Sequence, residues 1–104
     1  MLSLSELNNL LSLSILMKSC SHLEQVNLEV QGKTKGCEEC EKRSDWVHLR
    51  LCLICGHIGC CDSSRNKHGT KRFKETGHPV IKSYEPWENW KWCFVDRLFM
   101  KYLI

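Results

Sequence analysis

Apolar and polar residues alternate most clearly in DWVHLRLCL, from Asp45 to Leu53. Val47, Leu49, Leu51 and Leu53 fall on one side; Trp46, His48, Arg50 and Cys52 fall on the other. A period of two marks a strand with one apolar face. HPVIKSY (78–84) and WKWCFVD (90–96) read as two further strands. EPWEN between them is a loop by composition, as is QGKTKG (31–36), and CGHIGCCDSS is rich in turn formers. The main helix is predicted over about Arg65–Glu75, with Ser63 or Ser64 as its cap and Gly77 as its stop. RLFMKYLI predicts a short helix. This mixture predicts a small α+β domain: an antiparallel sheet with one main helix.

The first residues, MLSLSELNNLLSLSILM, are apolar and serine-rich. They lack a basic start, carry Glu6, and are too short and polar to span a membrane. MKSC has the outline of a lipoprotein cleavage site, which Lys18 fits poorly. Residues 1–19 are therefore read as a leader outside the domain, with Met17 an alternative start. The domain proper is expected over 20–96, with 97–104 as a tail or short helix.

Composition changes the picture at one point. A chain of 104 residues makes one domain at most and buries a modest core. It also carries eight cysteines and five histidines. In a small secreted protein such cysteines would read as a disulfide framework. Here they are interleaved with histidines, which take no part in disulfides but ligate zinc. The excess of basic residues is only +3. Seven thiolates binding three divalent ions would leave it at about +2, too little to argue for nucleic acid.

Two C-x-x-C knuckles, Cys37/Cys40 and Cys52/Cys55, could share one ion as a zinc ribbon. That arrangement leaves Cys20, His22, Cys60, His68, His78 and Cys93 without a role. A cross-braced arrangement uses nearly all of them.

The order Cys20-x-His22, CEEC, WVHLRLCLICGHIGCC, HGTKRF, TGHPVI and WCFVD resembles the zinc finger of ubiquitin-specific proteases, the UBP-type finger. It is most similar to its short prokaryotic members. The resemblance covers about Cys20 to Asp96 and implies a pairing of ligands. The first site is Cys37, Cys40, Cys60 and His68. The second is Cys52, Cys55, His78 and a histidine four residues after His68, where this chain has Arg72. Arginine has no acceptor and cannot ligate a metal. Water or His57 could fill that place, or the site stands empty. The third is Cys20, His22 and Cys93, with Asp96 where some relatives have a cysteine; a carboxylate can coordinate zinc. One to three Zn2+ ions are thus expected. Cys61 is a spare thiol beside Cys60, and His48 a strand histidine with no metal role.

The resemblance also implies protein recognition. Fingers of this type bind the free carboxyl-terminal Gly-Gly tail of ubiquitin between aromatic walls, with an arginine at the tail. Trp46, Trp92 and Phe94 match those aromatics, although core packing is the plainer role for the tryptophans. Asp62 stands where the arginine is implied, and one carboxylate repels another. That argues against a ubiquitin tail and leaves a peptide or another protein carboxyl terminus as the expected partner.

Closed four-ligand sites are structural, so no enzyme is expected. An open second site would lack an obvious general base; His57 and Glu75 are nearest in sequence. The rival function is nucleic-acid binding through Arg65, Lys67, Lys71, Arg72 and Lys74 on the predicted helix 65–74. Thiol redox chemistry would need a βαβ context that the chain does not offer. Reduced thiolates place the domain in the cytoplasm, with no membrane association.

Overall fold

The computed structural model describes residues 20–101. The proposed leader lies outside them. Five strands form one antiparallel sheet: β1 (Leu49–Cys52), β2 (Ile58–Cys60), β3 (Val80–Ser83), β4 (Trp90–Cys93) and β5 (Leu98–Lys101), in the order β2-β1-β3-β4-β5. The one described α-helix, α1, spans His68–Thr76. Short 3-10 turns occupy Ser21–Gln25 and Arg43–Asp45.

The alternation read in β1 decides its two faces. Leu49, Leu51 and Leu53 are buried in the core with Ile58, Val80, Cys93 and Met100. Leu23, Val26 and Val30 of the amino-terminal segment pack against that core. Val47 lies before the strand and is exposed. Arg50 points to the opposite face. Register carries that face across the sheet: Cys52 opposes Ile81, Ile81 opposes Trp92, and Trp92 opposes Phe99.

Helix α1 approaches β2 backbone to backbone. A Cβ on Gly59 would lie 2.6 Å from the Gly69 nitrogen, so only glycine permits the contact. That contact sets the start of α1 beside Cys60. Gly77 ends the helix in the left-handed conformation at φ 75°, donating its N–H to the Phe73 carbonyl. Phe73 stacks on Phe94 with ring centroids 4.6 Å apart.

Three expectations are corrected. CGHIGCCDSS is not all turn: Ile58–Cys60 form the edge strand β2 against β1. The helix starts at His68 rather than near Arg65, after Lys67 in a left-handed conformation. Neither serine caps it; the Ser64 hydroxyl instead accepts the Val47 N–H at 2.8 Å. Leu98–Lys101 form a strand rather than a helix, so the sheet continues past Asp96. Residues 102–104 lie outside the described part.

Candidate metal centres and an adjoining aromatic pocket

The fold gathers all eleven sequence-predicted ligands into three clusters, each with its donor atoms within 4.8 Å of one another. The two knuckles do not meet. Cys37 and Cys40 join Cys60 and His68; Cys52 and Cys55 join His78; Cys20, His22, Cys93 and Asp96 form the third group. The ribbon arrangement is thereby excluded.

In the first cluster, β2 supplies Cys60 and the first residue of α1 supplies His68. His68 Nδ1 lies 3.2 Å from Cys37 Sγ, 3.4 Å from Cys40 Sγ and 3.5 Å from Cys60 Sγ. Cys40 and Cys60 sulfurs are 3.9 Å apart. A tetrahedron with zinc–sulfur bonds of ~2.3 Å has sulfurs ~3.8 Å apart, so the donor set fits the ion. The His68 N–H and the Asn66 amide donate to Cys60 and Cys40 sulfurs at 3.2 and 3.6 Å, which orients those ligands. Burial pushes the Cys37 thiol up to about 12. A metal binding there must displace the proton that Cys37 holds firmly.

The third cluster joins the amino-terminal segment to the β4–β5 turn. His22 Nδ1 is 3.2 Å from Asp96 Oδ2 and 3.5 Å from Cys93 Sγ. The Asp96 N–H donates to Cys93 Sγ at 3.4 Å. Burial raises the Cys20 thiol. Two thiols, an imidazole and a carboxylate suit zinc.

The second cluster has three donors. Cys52 Sγ lies 3.6 Å from His78 Nδ1. Arg72 occupies the remaining side, with Nη2 3.5 Å from Cys55 Sγ. Burial raises Cys52 and also opposes ionisation of Cys55. At Cys55, hydrogen bonds from the His57 backbone and the Arg72 guanidinium outweigh it and lower the thiol. His57 does not supply the missing ligand: it is buried, and its Nε2 pairs with the Glu39 carboxylate. The spare Cys61 is buried against the Ser64 hydroxyl, Sγ to Oγ 3.4 Å. His48 joins none of the clusters.

Beside the first cluster, on the face of β1 that carries Arg50, lies a cavity of about 240 Å³. Trp90, Trp92, Phe94 and Phe99 wall it, with Arg50 and Asp62 as its charged residues. Trp92 and Phe94 thus come together as expected. Trp46 does not join them: it packs on Gly36, and Arg43 lies 5.0 Å over its ring. Sequence reasoning missed Arg50. Its guanidinium sits 4.5 Å over the Trp90 ring, donates to the Leu49 carbonyl at 3.0 Å and lies 3.7 Å from Glu88. The signal was its place in β1 opposite the leucines, which put a cation on the aromatic face. The Ser83 hydroxyl and Arg50 hold Glu88 below the usual carboxylate range. Asp62 accepts the Thr70 hydroxyl.

A small sheet fastened by Cys/His clusters at its edges and turns is the build of a zinc finger. The comparisons agree. The family model described as "Zn-finger in ubiquitin-hydrolases and other protein" matches residues 37–102. The chain belongs to this UBP-type zinc-finger family. It is therefore a zinc-binding module of a kind that is not itself a catalytic domain. A protein from Rhodopseudomonas palustris, solved by solution NMR, is 47% identical, with a TM-score of 0.72 over 81% of this chain and 82% of that one. Ubiquitin carboxyl-terminal hydrolase 16 from Rattus norvegicus and from Mus musculus are each 34% identical over 77 residues, 64% of this chain. The match spans 9% of the length of those two relatives. Among the described residues no helix is long and apolar enough to cross a membrane.

Proposed function

We infer that the first and third clusters each hold a structural zinc ion, and that the braced sheet presents its aromatic pocket to the extended end of a partner protein in the cytoplasm. Zinc supplies folding free energy, on the order of 10 kcal/mol at a closed site. Cys37, Cys40, Cys60 and His68 hold one ion; Cys20, His22, Cys93 and Asp96 hold the other. The partner reading draws support from the two curated relatives, whose name describes hydrolases acting at ubiquitin carboxyl termini.

The observation that carries the reading is the meeting of Trp92, Phe94 and Arg50 in one cavity beside Cys60. Flat aromatic walls admit a strand without side chains, and a guanidinium pairs with a terminal carboxylate. Asp62 cannot play that part; Arg50, from β1, supplies the cation. The loop that brings Glu88 to Arg50 also carries Trp87, which is 73% exposed and available to a partner. The rival nucleic-acid face loses one member, because Arg72 turns toward Cys55.

Calorimetric titration of the full chain with a short peptide ending in Gly-Gly tests this reading. The free acid binds, and the carboxyl-terminal amide and Arg50→Ala each weaken binding by about tenfold or more, as loss of a charge-assisted hydrogen bond does. Asp62→Arg strengthens it. No binding of the free acid, or equal binding of acid and amide, overturns the carboxylate reading.

A further inference from the structure

We propose that the Arg72 guanidinium takes the place of the ion in the second cluster, so that the folded chain holds zinc in the first and third clusters only and keeps Cys52 and Cys55 as metal-free thiols. Helix geometry supplies the starting point. Residues four apart share a helix face, so His68 and Arg72 both reach the side of α1 that meets the cysteines. His68 brings a nitrogen ligand to the first cluster. One turn later Arg72 brings five N–H donors and no acceptor.

The second cluster is short of a ligand and also occupied. Arg72 Nη2 lies 3.5 Å from Cys55 Sγ, directed at electron density that an ion would need. The guanidinium N–H thus takes up a sulfur lone pair that an ion would need. A Zn2+ ion among the same sulfurs would sit against a fixed positive charge, which Coulomb repulsion disfavours.

The guanidinium is not fully satisfied where it stands: its Nε is buried without a hydrogen-bond partner. That position is what remains when a residue of another type is fitted into a ligand's place. No neighbour restores the fourth donor. His57 is committed to Glu39, and among the described residues the cluster gathers only Cys52, Cys55 and His78.

Native mass spectrometry of the zinc-saturated full chain and two variants tests the proposal. The wild type carries two zinc ions, Cys20→Ser carries one, and Arg72→His carries three. Three ions in the wild type overturn it. So do two ions in Cys20→Ser, because the empty cluster would then be the third. A count unchanged by Arg72→His also overturns it, since position 72 would not govern occupancy. Should Arg72→His fail to fold, the wild type and Cys20→Ser still decide. Failure of the peptide titration described above leaves these counts untouched, because they concern a different part of the molecule.

Discussion

The first and second clusters begin from the same device and reach different ends. Each starts with a C-x-x-C knuckle and adds a histidine from outside it. The first is completed by a β2 cysteine, with His68 3.2–3.5 Å from all three sulfurs. The second receives a guanidinium instead. A knuckle thus provides half a site, and the element that packs against it decides whether the site closes. Here that element is α1, docked through Gly59 and Gly69.

The comparison can be broken most forcefully at Cys40. Cys40→Ser opens the first cluster and removes stability on the order of 10 kcal/mol, enough to unfold a small domain. Loss of the cooperative melt and of one zinc ion is the expected result in calorimetry and elemental analysis. Cys55→Ser sharpens the contrast. It removes no ion and only weakens the bond from Arg72, costing about 1–2 kcal/mol. A Cys55→Ser variant as unstable as Cys40→Ser would mean that the two clusters are equivalent.

Acid separates the clusters in another way. The metal-free Cys37 thiol holds its proton tightly, being pushed up to about 12 by burial. Zinc binding releases thiol protons, so a fall in pH favours the metal-free form. Apparent zinc affinity should weaken by about tenfold per pH unit for each proton released, measurable by competition with a chromophoric chelator. An affinity independent of pH would mean that the thiols are not the ligands. The smallest effect is expected at Gly77, whose φ of 75° is strained for any side chain. Gly77→Ala should cost about 1 kcal/mol in a thermal melt and leave the zinc content unchanged.

What was legible in the sequence followed periodicity and spacing. β1 alternates clearly, β3 and β4 are short apolar stretches bounded by turn formers, and Gly77 marks the helix end by its chemistry. That the cysteines and histidines are metal ligands was legible from their spacing, whereas their grouping into three sites came from the family resemblance. β2 was not, since three residues containing a glycine show no period; they become a strand only by pairing with β1. β5 takes its role from opposing β4 across a tight turn. Arg50 looked like an ordinary polar strand position until register placed it against Trp90. Trp46 sits after the first knuckle in the chain but on Gly36 in space. Tertiary neighbours that depend on how strands pair are not written in local sequence.

The most direct test of the crossed arrangement is a thiol-protection map. The zinc-loaded full chain is alkylated with iodoacetamide, with and without a chelator, and labelled cysteines are located by peptide mass. The crossed arrangement predicts that chelation exposes Cys37, Cys40 and Cys60 as one set, while the part-exposed Cys55 labels whether or not zinc is present. Protection of Cys55 together with Cys37 and Cys40, lifted only by the chelator, would contradict it.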